Sequence, residues 1–140
     1  MDFQFKSNYN IDDLLKIVSI LRSDIGCPWD KKQSHKSLRQ NFIEETYEVI
    51  EAIDNNDTDL LLEELGDVLL QVVFHAQLES EVNNFNFDDV ADGICKKLIV
   101  RHPHVFSDTK VKNTDEVLDN WEKIKAQTKN QNSQLDAINS

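Results

Sequence analysis

The sequence predicts an all-α helical bundle, and three observations point there. Only 3 Gly and 2 Pro interrupt 140 residues, so few backbone breaks are obligatory. Apolar residues recur at spacings of three and four along five separate segments. Strand-type alternation never extends beyond a few residues, and no internal repeat is visible. At 39% hydrophobic residues the chain has enough apolar surface for a core, and its length is that of one ordinary domain.

The first helix is expected from about Asn10 to Arg22, with Asn10 as N-cap, Asp12 and Asp13 at the positive end of the helix dipole, and Ile11, Leu14, Leu15, Val18 and Leu21 on one face. Gly26 and Pro28 make residues 23–34 a loop, which holds an exposed-looking Trp29. A second helix fits Ser37 to about Asp54, with Leu38, Phe42, Val49, Ile50 and Ile53 as its apolar positions, and Asn55 to Thr58 turn the chain. The third helix, about Asp59 to Glu81, is the most apolar part of the sequence. A fourth runs from Phe87 to about Arg101, stopped before Pro103, and a fifth from Asp115 to about Lys129 with Thr114 as cap. One domain over 1–129 is thus expected, followed by a polar, disordered tail over 130–140 that lacks periodicity.

Charge is distributed unevenly. The chain carries 15 Lys and Arg against 26 Asp and Glu, a formal net charge of −11. That balance excludes general binding to nucleic acid polymers or an anionic membrane surface, which takes clustered cations. No apolar run approaches the ~20 residues of a membrane span, and residues 1–9 show no signal-peptide pattern, so a cytoplasmic location is expected. Cys27 and Cys95 form neither a disulfide framework nor, alone, a zinc site. Between Asn41 and Cys95 there is no Lys or Arg, yet 15 acidic residues.

Two groups of acids stand out. Glu45 and Glu48, three apart, share a face of the second helix, and Glu64 and Asp67 share a face of the third. A short turn makes the helices antiparallel neighbours, so the two pairs can face each other. Four converging carboxylates repel unless a cation joins them, and all-oxygen ligands select Mg²⁺, with Mn²⁺ as a substitute. Glu-rich helical faces are usually only solvated. The third helix argues otherwise, because Glu64, Asp67, Gln71 and His75 form one narrow polar stripe on a helix that is apolar almost all round. A buried helix carries such a stripe only when something satisfies it. Gly66 in the same helix suggests close backbone approach. Lys97 and Arg101, four apart on the fourth helix, can meet phosphate charge, and Trp121 can stack on a base. The apolar girth of the third helix exceeds what five helices cover, which predicts a homodimer or higher homo-oligomer.

These features together resemble the MazG family of nucleoside triphosphate pyrophosphohydrolases, from about Ile17 to Lys125. The resemblance is carried by Gly26-Cys27-Pro28-Trp29-Asp30, by Glu44-Glu45-Thr46-Tyr47-Glu48-Val49, by Glu63 through Ala76, and by Arg101-His102-Pro103-His104-Val105-Phe106. The family's Glu-x-x-Glu and Glu-x-x-Asp metal motifs are met by Glu45 and Glu48 and by Glu64 and Asp67. The resemblance implies a MazG-like bundle of about five helices completed by dimerisation. It also implies Mg²⁺-dependent cleavage of an NTP or dNTP between the α and β phosphates, with Lys97, Arg101 and Trp121 holding the nucleotide. Glu44 or Glu63 then remains as general base, and the residues do not choose between them. The best-known members carry two such domains in tandem, whereas one is present here.

Rival chemistries fare worse. A di-iron bundle needs Glu-x-x-His, and none of His35, His75, His102 and His104 has a Glu three residues before it; none precedes an Asp, which excludes a His-Asp phosphohydrolase. The alternative that stands is a non-catalytic acidic helical module that binds metal or a basic partner. It explains the charge but not the buried polar stripe.

Overall fold

The computed structural model describes residues 2–108 and 113–139 and confirms an all-α chain, with no strand among the described residues. Among the described residues, seven helices follow in order: α1 (Ile11–Leu21), α2 (Pro28–Lys32), α3 (His35–Asp54), α4 (Thr58–Glu81), α5 (Phe87–Arg101), α6 (Pro103–Phe106) and α7 (Thr114–Asn139). They fall into two compact units, Met1–Val90 and Ala91–Ser140, divided within α5.

In the first unit, α3 and α4 form a helical hairpin and α1 packs on α4. The turn between α3 and α4 is built from Asn56, at φ 53°, a left-handed conformation that Asn tolerates. Asp57 then caps α4, its side chain accepting from Leu60 N. The core is Val18, Leu38, Val73 and Phe74, with Leu14, Leu15, Leu70, Leu78 and Phe87 packed around it. Helix ends are well closed: Asn10 and Asp13 form a reciprocal capping box on α1, and Ser34 and Ser37 another on α3, two residues earlier than expected.

The loop expected over 23–34 contains a short helix, α2, opened by Pro28 at its first turn. Gly26 lies against the end of α1, where a Cβ would come 2.1 Å from the Leu21 carbonyl oxygen. A single guanidinium fastens this region. Arg22 donates from Nη1 to the carbonyls of Asp30, Lys31 and Gln33 at 2.7, 3.0 and 3.1 Å. Its Nε and Nη2 make a bidentate pair with Glu81, at 2.9 and 2.6 Å, in the last turn of α4.

Gly66 departs from expectation. A Cβ there would meet nothing within 4 Å, so no backbone of this chain approaches it closely. Its neighbours Leu62, Leu65 and Leu69 are exposed as well.

In the second unit, α5 ends at Arg101 as expected, and Pro103 opens a further short helix, α6. Val105 and Phe106 are exposed. Asn113, not Thr114, caps α7, its Oδ1 accepting from Glu116 N at 3.0 Å. The α7 backbone stays helical through Asn139, beyond the expected end at Lys129, because polar Gln, Asn and Ser break periodicity without breaking a helix.

Candidate metal centre

The α3–α4 hairpin brings the two acidic pairs together. Glu45, Glu48, Glu64 and Asp67 each offer a carboxylate oxygen, and these four oxygens lie within 4.8 Å of one another. The local cause is periodic: both pairs have spacing three on helices held antiparallel by a turn of three residues. Burial differs around the cluster. Glu64 is 8% exposed, Glu45 and Asp67 are half-buried, and Glu48 faces solvent.

Among the described residues, no ion pair to a Lys, Arg or His is made by any of the four. One buried oxygen of Glu45 and one of Glu64 (Oε2 in each) have no hydrogen-bond partner. The hydrogen bond that Glu64 shares with Glu48, together with burial and the charges of Glu48 and Asp67, pushes the Glu64 carboxyl up to about 7. Burial first, and then the charges of Asp67 and Glu48, raise Glu45 as well. Hard oxygen donors, two of them orphaned and all mutually repelling, fit a divalent cation such as Mg²⁺ or Mn²⁺.

The stripe on α4 continues past the acids. Gln71 is buried, its Oε1 unpartnered, and His75 stacks on His35 with ring centroids 5.0 Å apart. His35 Nδ1 lies 2.7 Å from His75 Nδ1, and His35 Nε2 lies 2.7 Å from Glu79. Burial, with His35 alongside, lowers the pKa of His75. Sequence periodicity placed His75 on the stripe but not its ring partner, because His35 lies 40 residues away.

The two residues expected as general base stand outside the quartet. Glu44 is exposed and accepts a hydrogen bond from the Gln40 amide at 3.2 Å, and Glu63 is exposed. Lys97, Arg101 and Trp121 belong to the second unit. Lys97 is exposed, whereas Arg101 Nε and Trp121 Nε1 are buried donors with no partner. The Trp121 indole meets His102 edge-on, centroids 5.0 Å apart, and His102 Nδ1 is fixed by the Leu98 carbonyl at 2.7 Å. The His102–Trp121 contact was not legible in the sequence, since a ring contact between distant residues leaves no periodic signal.

Residues 33–106 match the model of the MazG nucleotide pyrophosphohydrolase domain. The chain belongs to the MazG family. This MazG domain is 52% identical over 118 residues to the nucleoside triphosphate pyrophosphohydrolase/pyrophosphatase MazG of Thermotoga maritima, covering 84% of this chain and 45% of that protein. It is 47% identical over 129 residues to the nucleoside triphosphate pyrophosphohydrolase of Escherichia coli, covering 91% of this chain and 49% of that protein. A solved structure, a MazG-related protein from Thermotoga maritima, superposes with a TM-score of 0.69 at 28% identity, covering 83% of this chain and 99% of that one. The chain thus spans about half the length of these two named pyrophosphohydrolases. Among the described residues, no helix is long and apolar enough to cross a membrane.

Proposed function

We propose that this MazG domain hydrolyses nucleoside triphosphates between the α and β phosphates, releasing a nucleoside monophosphate and pyrophosphate, as a Mg²⁺-dependent enzyme of the cytoplasm. The observation that carries this reading is the carboxylate quartet with its orphaned buried oxygens. Family membership and two relatives named for the same reaction support it.

Glu45, Glu48, Glu64 and Asp67 hold the cation. A divalent cation held there would supply charge neutralisation of the triphosphate and polarisation of the phosphoryl group. The remaining work falls to side chains of this domain. Glu44 or Glu63, each adjacent in sequence to a ligand and outside the quartet, accepts the proton of the attacking water. Lys97 and Arg101 take up charge on the phosphate oxygens as the bridging P–O bond breaks and its electron pair leaves with the departing group. Arg101 Nε and Trp121 Nε1, buried and unpartnered, have donor capacity to spare for such a ligand. The indole of Trp121, braced by His102, provides a stacking face for the base.

The same reading includes a homodimer. On α3, Ile43, Tyr47 and Ile50 are exposed and, with Phe42 and Thr46, line an apolar hollow of about 310 Å³. On α4, Leu62, Leu65 and Leu69 are exposed. Apolar faces of this kind are covered in a folded protein, and a second copy of the chain is the proposed cover. Sedimentation at micromolar concentration tests it, and a strict monomer refutes it.

The reaction is tested by incubating the protein with a panel of NTPs and dNTPs, in Mg²⁺ and in EDTA, and identifying the products. Monophosphate plus pyrophosphate, formed only with Mg²⁺, is the expected result. Diphosphate plus phosphate leaves the metal centre standing and overturns the bond assignment. No turnover by folded protein across the panel favours a non-catalytic metal-binding module.

A further inference from the structure

The polar stripe of α4 holds one group that a cation bound only by carboxylates leaves unexplained. Gln71 is 8% exposed, and its buried Oε1 has no hydrogen-bond partner. It follows Asp67 by four residues and Glu64 by seven, so the three share one face of the helix. Long helical side chains lean toward the helix N-terminus, which carries the Gln71 amide toward the Asp67 turn. Its neighbours Val73 and Phe74 belong to the hydrophobic core, where an apolar side chain of the same volume would fit without an unmet acceptor.

Orphaned carboxylate oxygens at Glu45 and Glu64 are satisfied by a cation directly. A neutral amide oxygen on the same face of the helix adds no charge repulsion and seeks a hydrogen donor instead. Hard cations such as Mg²⁺ keep several waters, whose polarised hydrogens need acceptors at fixed positions. We propose that Gln71 is a positioning residue of the metal centre: its Oε1 accepts a hydrogen bond from a water of the cation's hydration shell and fixes that water's orientation. This rests on the reading of Glu45, Glu48, Glu64 and Asp67 as the cation's ligands.

The test measures Mn²⁺ binding to the full chain without nucleotide, following the free-ion signal by electron paramagnetic resonance and the hydration of bound Mn²⁺ by water-proton relaxation. Four proteins are compared: wild type, Gln71→Met, Gln71→Glu and Asp67→Asn. Gln71→Met is expected to weaken Mn²⁺ binding about tenfold or more. It should also change the relaxation enhancement per bound ion, while melting in EDTA at the wild-type temperature or above. Gln71→Glu, which keeps an acceptor oxygen, is expected to bind at least as tightly as wild type. Unchanged Mn²⁺ affinity and relaxation in Gln71→Met, with binding lost in Asp67→Asn, overturns the role of Gln71 and leaves the quartet intact. Equal or absent binding in wild type and Asp67→Asn overturns both. Should Gln71→Met fail to fold, weakened binding by Gln71→Glu overturns the proposal by itself.

Discussion

The two halves of α4 obey opposite rules. In its second half Val73, Phe74 and Ala76 are buried against α1 and α3, as an amphipathic helix ordinarily demands. In its first half the polarity is inverted: Glu64 is 8% exposed while Leu62, two residues earlier, is 76% exposed. Within one chain that arrangement costs twice, by desolvating a carboxylate and by leaving leucines in water. Each cost disappears with a different partner, a cation on the acidic side and an apolar surface on the leucine side. The second half of the helix is built for stability, and the first carries the costs that the proposed cation and second copy would remove.

The sharpest way to break this contrast is to remove a ligand from the inverted half. Glu64→Ala or Asp67→Ala is expected to reduce Mg²⁺-dependent NTP turnover by more than ~100-fold with the circular dichroism of the wild type, and unchanged activity would remove that residue from the ligand set. In the conventional half, Phe74→Ala should cost about 3–5 kcal/mol of stability, measured by denaturant unfolding. Leu62→Lys should cost under about 0.5 kcal/mol by the same assay in dilute monomer, and instead shift sedimentation from dimer toward monomer; an unaltered dimer would place the partner surface elsewhere.

A further expected effect is one of pH. An ordinary Glu titrates near 4.5, and in the fold Glu64 is pushed up to about 7. The folded state therefore favours the protonated carboxyl, so no stability is lost below the ordinary value. The loss grows as pH rises between the two values and is complete above the higher one. Metal-free wild type should thus lose melting temperature relative to Glu64→Gln as pH rises from ~5 to ~8, and Mg²⁺ should erase that difference. His75, whose lowered pKa makes stability fall as pH drops, is common to both chains and cancels in the comparison.

How much of this was legible follows from where each signal lies. The bounds of α5 were readable because Asn86 and Asp89 form a reciprocal cap at its start and Pro103 follows its end. Helices α2 and α6 were missed because each is a turn or so long, too short for periodicity, and opens on a Pro that reads equally well as a break. The quartet was legible as two spacings of three across a hairpin turn. Gly66 was read as a point of close backbone approach, where the structure leaves it open; a helix glycine does not say whose backbone it admits. The Arg22–Glu81 pair and the His35–His75 stack join residues 59 and 40 positions apart, a separation no local pattern encodes.

The Arg22 guanidinium has a consequence for motion. By itself, a five-residue helix opened by Pro28 would fray at its ends on its own timescale. Here the carbonyls of Asp30, Lys31 and Gln33 hang on a side chain rooted at the end of α1 and locked to the last turn of α4. Releasing them one at a time relieves nothing, because the guanidinium stays tethered to Glu81. In hydrogen exchange the Lys31 and Gln33 amides, bonded to Cys27 and Asp30, should therefore exchange together with the end of α4 as one opening unit, and Arg22→Lys, with no planar fork to span both sides, should split that unit in two.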